Sequence, residues 1–310
     1  MYFCRKYCRQ ISNGIMMKVV VAYGGLGNVM FTYALVCAYR MKGIKSFLFV
    51  SDANLEHNGY ELERVFPRTD QWRGLNGFQK SYYSLMQKIR NLHYKKRNFP
   101  HRILFFPFSD QHHDQAPVKF CPQVFANPCK NEYLIGLFQS YKYFDDYRET
   151  LLQEYQFDDS RLSDSTKQVA IKMQQCNSVS IHVRRGDYMN GYYYNLLGKV
   201  CDMDYYKRAI NEIKLRVDDP HFFIFSDDKE YVARNLVLDS ATYVDFNSGK
   251  DSWQDMYLMS CCNHNIIANS TFSWWGAWLN THKDKIVVAP PRWFNDMEHD
   301  DIIPPEWKRV

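Results

Sequence analysis

Two arginines, Arg184 and Arg185, stand side by side at the end of the apolar run Ser178-Val179-Ser180-Ile181-His182-Val183, and Gly186 and Asp187 follow directly. Adjacent guanidiniums repel unless an anion lies between them, and each planar fork fits a phosphate or diphosphate better than a point charge does. Asp187 is near enough to orient one arginine while the other stays free. The same residues also read as a structural ion-pair cluster, because charges gather at strand ends. Three further stretches carry ligand-type groups. Asn269-Ser270-Thr271 offers hydroxyls and backbone N–H groups at a helix start, with Ser273 one turn on, and this is a natural seat for a diphosphate. Ser226-Asp227-Asp228 ends another apolar run, and its two aspartates read either as pocket-lining groups or as a cap for the next helix. Gly24-Gly25-Leu26-Gly27-Asn28 is a turn in which Gly25 and Gly27 let backbone approach a ligand, while Asn28 is placed to cap the following helix.

The elements that must position these groups alternate. Residues 18–23 predict a strand, 29–42 a helix closed by Gly43, and 46–50 a second strand, which together make a βαβ unit. Gly25 and Gly27 are followed by Met30 where a dinucleotide fingerprint requires a third glycine, so a nicotinamide-dependent oxidoreductase is disfavoured. Residues 51–130 are irregular. Within them 81–97 predicts a basic helix carrying Lys88, Arg90, Lys95, Lys96 and Arg97, which reads as a solvated face or as a contact with an anionic membrane surface. His112, His113 and Asp114 read as surface loop residues, since adjacent histidines chelate one metal poorly. Strand 133–138 and a helix to about 155 precede a polar boundary. Three segments result: an N-terminal tail 1–16, a domain 17–160 and a domain 161–310.

In the second half, strands over 178–183, 221–225, 242–246, 265–268 and 285–289 are separated by helices over 203–217, 251–262 and from 269 onward. Such repeated alternation predicts a parallel, doubly wound sheet whose strand ends converge on one crevice. Trp274, Trp275 and Trp278 share one helical face, as core packing or as a stacking surface for ligand.

Composition narrows the classes. With 46% apolar and 24% charged residues the chain suits a globular protein, and a net charge of +5 suits a small anionic substrate without calling for nucleic acid. The nine cysteines are odd in number and include no C-x-x-C pair, which indicates neither a zinc knuckle nor a disulfide framework but reduced thiols in a cytosol. No run is long enough to span a bilayer, and the first sixteen residues lack the apolar core of a signal peptide. The expected location is therefore cytoplasmic, with peripheral contact on the inner face of the membrane through the basic helix.

His182-Val183-Arg184-Arg185-Gly186-Asp187 resembles the H-x-R-R-x-D motif of fucosyltransferases that use GDP-fucose. The segment from Asp255-Met256-Tyr257 through Asn269-Ser270-Thr271-Phe272-Ser273-Trp274-Trp275-Gly276-Ala277-Trp278 is similar to the C-terminal motif of the α-1,2-fucosyltransferases, glycosyltransferase family 11. Gly24 to Asn28 resembles that family's N-terminal G-G-L-G-N, with Val29 and Thr32 where it has glutamines, and Phe138-Gln139-Ser140 and Pro290-x-Arg292-Trp293-Phe294 also fit. The resemblance implies an α/β, GT-B-like fold of two doubly wound Rossmann-like domains facing a cleft, acceptor in the first and GDP-fucose in the second. It implies a metal-independent, inverting transfer of L-fucose to O2 of a terminal galactose on an oligosaccharide acceptor, with no cofactor beyond the donor. On this resemblance Arg184 holds the β-phosphate, Arg185 supports it, Asp187 orients the pair or acts as base, and Ser270 and Thr271 hold the other phosphate oxygens. His182 and Asp255 read the nucleoside. The departing phosphate is an alternative base. A GDP-sugar transferase of another linkage or acceptor, and a non-catalytic glycan- or nucleotide-binding protein, are the rival readings. Tyr192, Tyr193 and Tyr194 are candidates for sugar stacking or solvent-facing loop residues.

Overall fold

The computed structural model describes residues 17–50, 55–96, 110–113, 117–128, 130–296 and 300–310. It divides into two compact units, 1–62 with 69–151, and 63–68 with 152–310. The predicted tail 1–16, Asp114 and the end of the basic helix at Arg97 lie outside the described residues.

In the first unit, β1 (Met17–Val21) is buried at every position: its four apolar residues pack into the core, and Lys18 is buried through its ion pair with Glu132. Helix α1 (Leu26–Met41) follows, then β2 (Lys45–Phe49), which pairs in parallel with β1 at Val19 and Phe47. Beyond α2 (Gly77–Lys96) come β3 (Asp110–His113) and β4 (Glu132–Ile135), completing a parallel sheet ordered β2-β1-β4-β3. His112 and His113, expected in a loop, are therefore on a strand. Helix α1 starts earlier than expected, because the Gly25 carbonyl already accepts from the Val29 N–H at 3.1 Å.

The second unit holds α3 (Asp164–Gln174), β5 (Asn177–Val183), α4 (Met203–Lys214), β6 (Pro220–Ser226), α5 (Lys229–Asn235) and β7 (Ala241–Val244). It continues with α6 (Trp253–Cys261), β8 (His264–Ile266), α7 (Thr271–Leu279), β9 (Val287–Ala289) and β10 (Lys308–Arg309). The sheet is parallel throughout and ordered β10-β9-β8-β5-β6-β7. Tyr205, Tyr206, Ile210 and Ile213 of α4 pack on one face with Val232 of α5. Met173 of α3 with Leu258 and Met259 of α6 packs on the other face, against Phe223 and Phe225. The unit is thus a doubly wound α/β sheet, and its strand order reverses between β5 and β8. Open α/β sheets bind ligands outside the carboxyl ends of strands at such a switch point. Trp274, Trp275 and Trp278 are core residues here. All three are buried, and the Trp274 indole donates to the Ile302 carbonyl at 2.8 Å.

Candidate active site

β5 leads to the switch point through a run of buried residues, so His182 and the arginines after it emerge at the sheet's carboxyl edge. Two adjacent tyrosines of α4 fix the neighbouring strand ends from behind. The Tyr206 hydroxyl donates to the His182 carbonyl at 3.0 Å, and the Tyr205 hydroxyl donates to the Ile267 carbonyl beyond β8 at 2.5 Å. The His182 side chain is only 6% exposed, and its Nδ1 has no hydrogen-bond partner among the described residues. Burial first, and the Arg184 charge second, lower its pKa to about 3, so the ring is neutral. A buried, unpartnered ring nitrogen costs stability unless a bound group satisfies it.

Arg184 is held on two sides, by Asp187 at 2.8 Å and by Asp227 at 3.0 Å, and its guanidinium carbon lies 5.5 Å from the centroid of the Tyr188 ring. Arg185 is not the free partner that the sequence suggested. Its Nε donates to Asp228 at 3.0 Å, its guanidinium carbon lies 3.4 Å from the Tyr231 ring centroid, and its backbone N–H donates to Asp227 at 2.8 Å. Asp227 therefore binds both arginines, and the turn between them must pass close to it. A Cβ on Gly186 would lie 2.6 Å from Asp227 Oδ2, which is why a glycine occupies that position. Asp228 takes the capping reading and also holds Arg185. It caps α5 by accepting from the Tyr231 N–H at 3.0 Å, and the hydrogen bond from Arg185 lowers its pKa.

Asp255 lies on the first turn of α6 and accepts from the Asn247 amide at 2.8 Å. Burial is the main effect and raises its pKa to about 7, with the Asn247 hydrogen bond and Lys229 acting against it. At the start of α7, Ser270 is the cap residue in extended backbone and makes no side-chain cap bond. The helix's first N–H groups point away from its carbonyls, the arrangement that seats anions. The Phe272 ring, on the same turn, lies 5.9 Å from that of His182. Ser273 and Asn269 have other engagements. Ser273 Oγ donates to the Ser270 carbonyl at 3.2 Å, while the buried Asn269 amide donates to Leu197 and Trp293 carbonyls at 3.1 and 3.0 Å. The Tyr188 hydroxyl donates to the Asn269 carbonyl at 3.1 Å, which ties the arginine loop to α7.

The structure thus brings His182, Arg184, Arg185, Asp187, Asp227, Asp228 and the Ser270–Thr271 turn to the ends of β5, β6 and β8, with Asp255 near Lys229. Gly25, Gly27 and Asn28 belong to the first unit. Gly24 has φ +70°, and a Cβ on Gly25 would lie 2.7 Å from the His57 ring, so this turn requires glycine. Asn28 does not cap α1: it sits inside the first turn, where its Oδ1 accepts from Gln139 Nε2 at 2.8 Å. Sequence reasoning missed Tyr188, Tyr231, Phe272 and Asn247. Tyr231 had a legible signal, since it is three residues beyond an aspartate that caps a helix.

The family model described as Glycosyl transferase family 11 matches residues 77–310. The O-antigen biosynthesis glycosyltransferase WbnK of Escherichia coli is 31% identical over 304 residues, covering 92% of this chain and 97% of that protein. An alpha-1,2-colitosyltransferase of Escherichia coli is 35% identical over 180 residues, 57% of this chain and 61% of that protein. A galactoside alpha-(1,2)-fucosyltransferase 1 of Leontopithecus chrysomelas is 28% identical over 155 residues, 47% of this chain and 42% of that protein.

Proposed function

We propose, from the premise that this chain belongs to glycosyl transferase family 11, that it moves L-fucose from GDP-fucose to O2 of a terminal galactose. The carrying observation is the buried Nδ1 of His182, which has no hydrogen-bond partner among the described residues, two positions before the held Arg184 at the point where the strand order reverses. That nitrogen and the Asp255 carboxylate suit a nucleobase edge. A carboxylate accepts well from the paired N1–H and N2–H₂ donors of guanine. Arg184, with its fork set by Asp187 and Asp227, faces the β-phosphate, and Arg185 steadies the turn. The start of α7 at Ser270 and Thr271 adds N–H groups for the remaining oxygens. Fixed positive charge of this kind stabilises the departing diphosphate as the bond to the sugar breaks. The galactose hydroxyl attacks the anomeric carbon from the opposite side, which inverts the configuration. Its proton goes to Asp187 or to the leaving phosphate. This reading needs no metal or further cofactor.

The reading extends the fold to a GT-B-like pair of domains, with the glycine turn Gly25–Asn28 on the acceptor-side domain. It places the chain in the cytoplasm. Among the described residues no helix is long and apolar enough to cross a membrane, and peripheral contact through the basic end of α2 remains part of the proposal. The similarity to a colitosyltransferase makes a colitosyl donor the second reading. Incubating the full chain with GDP-fucose, GDP-colitose, GDP-mannose or UDP-galactose and a panel of β-galactosides, then mapping the product linkage, tests both. The expected product is an α-1,2-linked 6-deoxysugar. Absence of product, together with no thermal stabilisation by any GDP-sugar, overturns the reading and a GDP-sugar-binding alternative alike.

A further inference from the structure

A concave feature lies at the carboxyl edge of the same sheet, on the β9 side. This cleft of about 690 Å³ is formed by the end of the loop after β5, the first half of α4 and the segment after β9. Three cations line it: Lys199, Arg208 and Arg292. Among the described residues none of the three has a carboxylate within ion-pair distance, although Asp202 and Asp296 line the same cleft. Asp202 is engaged elsewhere, because its Oδ1 caps α4 by accepting from the Tyr205 N–H at 2.8 Å. Three cations against two carboxylates leave the cleft net positive, and an anion entering between Lys199, Arg208 and Arg292 lowers their mutual repulsion.

The wall is built rather than loose. Asn295, buried at 6% exposure, donates through its amide to the Tyr194 and Asn195 carbonyls at 2.9 and 2.6 Å and accepts the Lys199 N–H at 3.1 Å. Its own backbone N–H donates to the Leu196 carbonyl at 2.9 Å. The Lys199 amine lies 5.6 Å from the centroid of the Tyr194 ring. Such a volume accommodates a sugar unit. The groups offered to the nucleotide lie at the ends of β5 and β6 and at the α7 start, whereas the cleft lies past β8.

We propose that this cleft binds an oxyanion carried by the acceptor glycan, a sugar carboxylate or a phosphate, held by Lys199, Arg208 and Arg292. The proposal deepens the transferase reading and rests on it. The test compares transfer by the full chain to three galactosides: a neutral one, the same one bearing a glucuronate, and the same one bearing a phosphate. The expected result is a preference of about ten-fold in kcat/KM for at least one charged acceptor, the scale of a charge-assisted hydrogen bond. Arg208→Ala and Arg292→Ala each remove most of that preference through KM, with the neutral galactoside as internal reference. Which charged acceptor responds identifies the anion. Equal use of charged and neutral acceptors by the wild type overturns the proposal, as does a preference that survives the double substitution. Should no transfer occur with any acceptor, the functional reading fails separately. Titration of inorganic phosphate and of glucuronate into wild type and double variant then decides the cleft alone: saturable binding confined to the wild type supports an oxyanion site, and equal or absent binding overturns it. Displacement of either anion by GDP would assign the cleft to the donor and also overturn the proposal.

Discussion

The two cationic regions at the edge of the β5–β10 sheet are built in opposite ways. In one, Arg184 and Arg185 are surrounded by three carboxylates, those of Asp187, Asp227 and Asp228, and both guanidiniums lie against aromatic rings. In the other, Lys199, Arg208 and Arg292 line a cleft without an ion-pair partner among the described residues. Charge count alone would place a diphosphate in the second region. Position argues for the first, because a guanidinium oriented by two carboxylates keeps its remaining N–H donors aimed while a mobile one must be ordered on binding. Compensated charge gives direction; uncompensated charge gives attraction, and salt screens it.

The sharpest way to break this contrast is Arg184→Ala. Transfer should fall about 10²–10³-fold, the usual loss when one donor to a developing anion is removed, with the circular dichroism spectrum unchanged. A rate within ten-fold of wild type would move the diphosphate to the cleft. Asp227→Asn comes next. It removes a negative charge yet is expected to lower GDP affinity about ten-fold, since Arg184 and the Arg185 N–H lose a shared anchor. If affinity rises instead, the carboxylates merely neutralise.

A smaller effect follows from Asp255, whose pKa is raised to about 7. Guanine recognition requires the ionised carboxylate, so GDP affinity should rise several-fold from about pH 6 to about pH 8, and Asp255→Asn should abolish that slope. Folding stability runs the other way. A raised acid contributes stability below the usual carboxylate range and loses it as pH climbs through about 7. His182, held near 3 in the fold by burial, leaves the affinity profile there unchanged, but because the unfolded imidazole titrates near 6.5 it lowers folding stability progressively as pH falls below that value. The smallest effect concerns the cleft wall: Asn295→Ala should cost about 1–3 kcal/mol in urea unfolding, for lost bonds to buried backbone, and leave GDP affinity unchanged. A weakened GDP complex would mean that the two regions are not separable.

Much of the second unit was legible because its strands are short apolar runs ending in polar turns, and periodicity reports such runs directly. His182-Val183-Arg184-Arg185 lay at a strand end as read, and the tryptophans went to the core as one of their two readings had it. β3 was illegible because Asp-Gln-His-His has no apolar alternation. β10 escaped because two residues, Lys308 and Arg309, become a strand only by pairing with β9. The error over Arg185 has the same origin. Its partner Asp228 is distant in sequence, and only the β5–β6 register brings Val183 beside Ser226 and so joins the two turns. Asn28 misled for a local reason: Gly25 already terminates the helix, leaving the asparagine inside its first turn.

The paired tyrosines of α4 have one further consequence. Because Tyr205 and Tyr206 grip the strand ends through carbonyl oxygens and from the rear, the scaffold under the chemistry does not depend on which side chains the front loops display. Inheritance can therefore rewrite those loops, and with them the choice of sugar accepted, while the platform on which they stand keeps its shape.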